Sequence, residues 1–403
     1  MFIYQPADDS YLLEKHVLAK AFGRVLDMGT GSGIQALAAL SNHDVGEVVA
    51  VDIDEEAITG LKEKIKLEKL RKIKALQSNL FEQVSGQFNT IIFNPPYLPQ
   101  DKVNQQAIED QTIYGGKKGW EISEQFFHQV TRFLAPDGQI LFLFSSLTNR
   151  DKVKGIIEKN LLTFKELDKQ KLPFEELFVY QITKTGLLRE LEARLLEEIH
   201  YFAKGQRGII YKAIQDRSKL VKTHFPRKKD LIKVAIKAKR EDSEALNTIQ
   251  NESYWLKVLN KAGIGPRYLF SGENYLVYEF VEGEFILDWI KKNSKEEIKI
   301  VLEKVLVQCR QLDQLGVNKE EMHHPTKHLL VTSDNQPILL DFERCSKTIK
   351  PKNVTQFIEF ICRIKEELES RELSIDVDFL RKLAGEYKDT GNKEILKEIF
   401  PIP

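Results

Sequence analysis

Asn94, Pro95, Pro96 and Tyr97 form the stretch with the clearest chemical use. It follows an apolar run, Thr90-Ile91-Ile92-Phe93, and Pro99 comes soon after. The nitrogen of an amide, or of an exocyclic amine on a base, is a poor nucleophile because its lone pair is delocalised. Two acceptors that take both of its N–H groups fix the plane and aim the lone pair. The Asn94 side-chain oxygen supplies one acceptor. The Pro95 backbone carbonyl supplies the other, and consecutive prolines fix φ, so little entropy is lost in holding both. Tyr97 presents a flat face to a flat substrate group. Positioning for in-line displacement then does most of the work without a strong base. An Asn-Pro turn that merely ends a strand has the same composition, so the neighbouring elements must decide.

Those elements alternate. Residues 8–22 read as a helix with Asp8, Asp9 and Ser10 available as its cap. A short strand, Arg24-Val25-Leu26-Asp27, runs into Asp27-Met28-Gly29-Thr30-Gly31-Ser32-Gly33 and then an Ala/Leu-rich helix. Glycines at 29, 31 and 33 let the backbone approach a ligand, and the following helix start has free N–H groups. A second strand ends at Asp52, 25 residues after Asp27, about where a nucleotide-binding α/β unit places an acid for ribose hydroxyls. A third strand ends before Ser78-Asn79, and a fourth, 89–93, ends at Asn94. Repeated βα units imply a parallel-type sheet with helices on both faces and ligands at the carboxyl ends of the strands. Asp27, Asp52, Asn79 and Asn94 converge there.

Composition sets limits on the whole. The chain has 403 residues, with 42% hydrophobic and 30% charged, which fits a soluble protein of two domains. Lys+Arg and Asp+Glu both number 60, so no net charge drives the whole molecule to nucleic acid or membrane. Cys309, Cys345 and Cys362 lack ligand spacing, which argues against a zinc site or disulfide framework and fits a reducing compartment. The N-terminus shows no signal-peptide pattern, and no apolar run approaches the ~20 residues of a membrane span. A cytoplasmic location is expected.

Residues 1–183 resemble the S-adenosylmethionine-dependent class I methyltransferases, specifically the HemK-type protein-glutamine methyltransferases. The carriers are Tyr4-x-Pro6-x-x-Asp9-Ser10-x-Leu12-Leu13, the glycine loop, Asp52 and Asn94-Pro95-Pro96-Tyr97. Gly115-Gly116-Lys117-Lys118-Gly119 and Leu172-Pro173-Phe174-Glu175 also fit. The resemblance implies a Rossmann-like seven-stranded sheet. It implies that Gly29, Gly31 and Gly33 wrap the methionine part of the cofactor, with Asp27 on the same loop, and that Asp52 binds the ribose. Asn79 stands where the family usually has Asp facing the adenine amine. Asn94 with Pro95 would hold the amide of a Gly-Gly-Gln glutamine in a class I translation release factor. The frame matches the compact archaeal and eukaryotic branch, whose members work with a small zinc-containing activator subunit. The same Asn-Pro-Pro-Tyr motif serves N6-adenine methyltransferases on DNA or RNA, but 1–183 has no basic, aromatic-rich insertion for reading or flipping bases.

Beyond 183 the reading changes. Residues 184–200 are expected to be a linker helix, with an apolar stripe from Leu187 to Leu196. Residues 201–403 are expected to be a second, α+β domain. Gly205 and Gly208 sit in a hairpin-like turn. From Lys204 to Arg240 there are 13 Lys/Arg against two acids, a solvated face or a contact for RNA or the ribosome. Val234-Ala235-Ile236-Lys237, a helical Glu252, and Asp341-Phe342 after an apolar strand follow the order seen in kinases. Residues 200–365 resemble the RIO-like atypical kinases, which implies ATP with Mg2+. The catalytic Asp and Asn positions are His323 and His328, however, and the Asp-Phe-Gly glycine is Glu343. A degenerate kinase-like accessory domain is the expectation, with an ATP-dependent regulator or kinase as the alternative.

Overall fold

The computed structural model describes residues 6–100, 114–205, 208–220, 230–240, 248–392, 394 and 398–399. Tyr4 of the N-terminal motif and much of the 204–240 run, including 206–207 and 221–229, lie outside the described residues. The chain divides into two compact units, essentially Met1–Tyr201 and Phe202–Pro403. Among the described residues no helix is long and apolar enough to cross a membrane.

In the first unit, α1 (Asp8–Lys20) leads to β1 (Gly23–Met28), α2 (Ile34–Leu40), β2 (Val45–Asp52), α3 (Glu55–Leu67), β3 (Ile73–Gln77) and β4 (Phe88–Phe93). After them come α4 (Glu121–Phe133), β5 (Leu134–Ser145), α5 (Arg150–Lys159), β6 (Leu162–Lys171), β7 (Glu176–Lys184) and α6 (Gly186–Ala193). The seven strands form one sheet in the order β3-β2-β1-β4-β5-β7-β6. The sheet is mixed: β7 runs antiparallel to both β5 and β6. The parallel reading holds for β1 to β5 only, and β6 is an additional strand.

The central strands are apolar throughout, as a sheet covered on both faces requires. On one face Leu13, Val17, Ala36 and Ala39 of α1 and α2 pack against Val25, Ile92 and Leu141. On the other, Phe126 stacks at 4.4 Å from Phe93, and Phe127 meets Phe142 edge-on at 5.1 Å. Each such buried ring contributes about 1.5–3 kcal/mol. The switch between β1 and β4, where the strand order reverses, brings the glycine loop beside the Asn94 turn.

Two expectations fail here. The N-cap of α1 is Ala7, without a side-chain capping bond; Asp9 lies inside the helix and uses its carboxylate elsewhere. The linker helix 184–200 is also shorter. It spans Gly186–Ala193, and the chain turns at Leu195 (φ 64°) into β8 (Leu196–Lys204). Leu188 and Leu191 are buried on the helix, while Leu196 is buried as a strand residue.

The second unit contains β9 (Gly208–Asp216), β10 (Leu231–Lys239), α7 (Thr248–Leu259), β11 (Tyr268–Ser271) and β12 (Tyr275–Glu279). A five-stranded sheet runs β11-β12-β10-β9-β8, and β10 pairs antiparallel with β9 and β12. A helical part follows, including Lys295–Gln314, Asn353–Arg363 and Val377–Thr390, around its own apolar core.

Candidate active site

The glycine loop follows from backbone need. Gly29, Gly31 and Gly33 have φ of 64°, 50° and 83°, the left-handed region that side chains disfavour. A Cβ on Gly33 would lie 2.8 Å from Leu61 Cδ1, while one on Gly31 would stand in open space. Asp27 braces this loop from within. Its Oδ2 accepts from Thr30 Oγ1 at 2.6 Å and from the Ala36 N–H at 3.0 Å. Burial pushes the Asp27 carboxyl up to about 7, against the lowering effect of those bonds. Asp52 Oδ2 accepts the Gly31 N–H at 2.8 Å and Oδ1 the Asp54 N–H at 3.0 Å. Each oxygen keeps a further lone pair for a ligand hydroxyl.

A cavity of about 570 Å³ is lined by Gly29, Gly31, Asp52, Asn79 and the whole Asn94-Pro95-Pro96-Tyr97 turn. Asn79 is exposed, and its Nδ2 donates to Glu82 at 3.0 Å, which turns its oxygen into the acceptor role. Ile53 and Leu80 add apolar walls. That volume suits a cofactor-sized molecule.

Asn94 is held from a distance. Its Nδ2 donates to Asp9 Oδ2 at 3.0 Å, and Asp9 Oδ1 accepts from the Ser10 N–H at 2.6 Å. Asn94 Oδ1 is buried with no hydrogen-bond partner among the described residues. Leaving such an oxygen unpaired costs about 1–3 kcal/mol, a cost a bound N–H group removes. Gln35, also on the cavity wall, has the same feature: its Nε2 donates to the Ser10 carbonyl at 2.8 Å and its Oε1 has no partner. Sequence reasoning assigned no active-site role to Asp9 or Gln35. Asp9 stood in the sequence as a cap candidate beside Asp8 and as part of the N-terminal motif Tyr4-x-Pro6-x-x-Asp9-Ser10, without a role at the Asn94 turn.

The Asn94 turn is buttressed by Gly115-Gly116-Lys117-Lys118-Gly119. A Cβ on Gly115 would come within 2.4 Å of Pro96 O, and one on Gly119 within 2.4 Å of Tyr97 O. Gly115 N–H donates to the Leu98 carbonyl at 3.0 Å. Thr148 Oγ1 donates to the Tyr97 carbonyl at 3.2 Å.

In the second unit Lys237 donates to Glu252 at 2.6 Å, Asp341 at 3.2 Å and Glu343 at 3.4 Å. Burial pulls the ammonium down, but the three carboxylates outweigh it and hold Lys237 above its ordinary value. These bonds take all three of its donors, so a phosphate would have to displace a carboxylate. Gly208 packs on the Lys237 stem, with its virtual Cβ 3.5 Å from Cγ. Gly205 N–H donates to the Gly208 carbonyl at 2.9 Å. His328 Nδ1 lies 3.4 Å from Asp341 Oδ2. Several described cations of the basic run have partners within the chain. Lys233 meets Glu282 at 2.6 Å, Arg217 meets Asp230 at 3.6 Å, and Lys212 sits 3.9 Å over the Phe202 ring.

The sheet and the loop-lined cavity at its carboxyl edge define a class I methyltransferase fold. Residues 2–172 match the methyltransferase small domain. A Methanocaldococcus jannaschii protein, bearing the provisional name protein N5-glutamine methyltransferase, is 34% identical over 180 residues. The aligned region is 44% of this chain and 89% of that one. A release factor glutamine methyltransferase of Deinococcus radiodurans is 33% identical over 123 residues, 29% of this chain and 44% of that one. In E. cuniculi, the Mtq2–Trm112 complex responsible for methylation of the eRF1 termination factor gives a TM-score of 0.36 at 22% identity, covering 46% of this chain and 100% of that one. Through its first unit the chain belongs to the methyltransferase family of the Methanocaldococcus protein.

Proposed function

We propose that the first unit transfers a methyl group from S-adenosylmethionine to a glutamine side-chain amide, with a class I translation release factor as substrate. The observation that carries this is Asn94: its amide is turned by Asp9 so that a buried acceptor, Oδ1, is left without a partner. The names of the two relatives, one for protein glutamine and one for release-factor glutamine, support the choice of amide over base.

The residues present fit the cofactor. Gly31 leaves open space, Asp52 keeps lone pairs for hydroxyls, and Asn79 and Ile53 line the wall. When bound, S-adenosylmethionine supplies an electrophilic methyl on a sulfonium. The chain's own part is to hold the amide. Asn94 Oδ1 and the Pro95 carbonyl accept its two N–H groups, Tyr97 lies along its plane, and one N–H proton is lost to water. Pairing the orphaned oxygen only when the right group arrives also gives selectivity.

Transfer of labelled methyl onto purified release factor tests the reading. Asn94→Ala is expected to lower the rate by on the order of a hundredfold or more, the scale of a lost positioning contact, while S-adenosylhomocysteine still binds. Label on nucleic acid, or on neither, would refute it. The resemblance to the compact branch adds a small zinc-containing activator, checked by co-purification.

For the second unit the proposal is a kinase-like accessory domain, supported by the Lys237–Glu252 pair. Nucleotide binding there requires Glu343 to release Lys237. Mg-ATP should therefore stabilise Glu343→Gln more than the parent chain in a thermal-shift measurement; equal shifts would count against it.

A further inference from the structure

The turn between β6 and β7 carries Phe174, 93% exposed. A large aromatic at a hairpin tip gains nothing from water, so its setting matters. The tip is fastened. Leu172 N–H donates to the Glu175 carbonyl at 2.8 Å, Ser145 Oγ donates to the Glu175 carboxylate, and Glu176 N–H donates to Ser146 Oγ at 2.9 Å. The short turn Ser146–Thr148 accepts the last of these bonds through Ser146 and holds the Tyr97 carbonyl through Thr148. Leu147, on the same turn, is 43% exposed. One chain of hydrogen bonds thus joins the Asn94 turn to the tip.

Strand register gives the distances. Phe93 is level with Phe142 on β5, and Ser145 is level with Leu177 on β7. Phe174 precedes Leu177 by three residues, so the tip stands about 15–20 Å beyond the end of β4 along the strands and, two strands over, about 10 Å to the side. An extended polypeptide at ~3.4 Å per residue covers that diagonal of about 20 Å in about six residues.

We propose that Phe174 and Leu147 form a docking surface for the polypeptide that carries the target amide. They take an apolar side chain about six residues from the methylated position. This rests on the amide reading above and deepens it from a group to a protein segment. Glu175 and Glu176 directly follow Phe174. With Lys169 and Lys171 on the facing strand they leave the tip without an excess of cations, so it holds no special attraction for a phosphodiester backbone.

Steady-state methyl transfer to purified release factor tests this with Phe174→Ala, Leu147→Ala and the double variant. Phe174 is outside the core, so the fold should survive, and thermal melting verifies it. The expected result is a KM raised about tenfold in Phe174→Ala, the scale of one lost interface anchor. The turnover number and S-adenosylhomocysteine affinity stay unchanged, and Phe174→Leu restores most of the loss. A double variant whose KM stays within about twofold of the parent overturns the docking surface alone, while transfer itself upholds the amide reading. A parent chain that methylates RNA and leaves release factor unlabelled overturns both.

Discussion

Asp9 determines which way Asn94 faces. An amide that donates Nδ2 to a carboxylate must point its oxygen the other way, and Asp9 Oδ2 is that carboxylate. Asp9→Asn removes the discrimination. Ser10 N–H and Asn94 Nδ2 bond different oxygens of Asp9, and an amide that keeps the Ser10 bond faces Asn94 with its NH2, so Asn94 is free to turn over and place a donor against the substrate. The turnover number should fall by on the order of a hundredfold, with S-adenosylhomocysteine affinity in calorimetry changed little. An unaltered turnover would remove Asp9 from the site. Asp27 predicts a pH effect. Its carboxyl is raised by burial to about 7 in the fold, from about 3.9 in an unfolded chain. Between those values the folded state binds the extra proton, so stability is full below the lower value. It is lost as pH rises towards the higher one, by up to about 4 kcal/mol. Asp27→Asn should abolish that slope. Urea midpoints at pH 5 and pH 7.5, read by hydrogen exchange in β1, would show it.

Elements supply the rigidity that single residues need. Gly119 sits at φ 86° with its virtual Cβ 2.4 Å from Tyr97 O. Gly119→Ala must displace either its own backbone or the Asn94 turn. Strain of about 1–3 kcal/mol is expected, with a fall in turnover and a preserved cofactor affinity. If turnover is normal, the segment is not a buttress. The glycine loop, Asp52 and the Asn94 turn were legible in the sequence because each sits at a strand end with its own turn chemistry. The Asp9 contact was not, because it joins residues 85 apart. Strand β6, Leu-Thr-Phe-Lys-Glu-Leu-Asp-Lys-Gln-Lys, is a half-exposed edge strand with too little apolar alternation to register. Leu196–His200 was misread as helix because Leu195 and Leu196 continued the helical spacing of the leucines before them. Positive φ at Leu195 and Glu198 breaks that continuation, and the burial of Leu196 favours the strand.

The two units have separate apolar cores, one built from residues of the first 179 and one from Ile249 onward. In the second, Lys237 links β10, α7 and the segment after Leu339 through Glu252, Asp341 and Glu343. The side chains of Lys237, Glu252 and Glu343 are 12%, 5% and 10% exposed, so solvent screens them little. Removing the cation leaves buried carboxylates facing one another, which costs about 3–5 kcal/mol. Lys237→Met should therefore lower hydrogen-exchange protection across β9, β10 and α7. Because the described residues that line the first unit's cavity all belong to that unit, S-adenosylhomocysteine affinity should stay at the parent value. Loss of that affinity together with the second unit's protection would mean that the units share one cooperative fold. Full protection in the variant would mean that the carboxylates find protons or water without Lys237, and the cluster would lose its structural role.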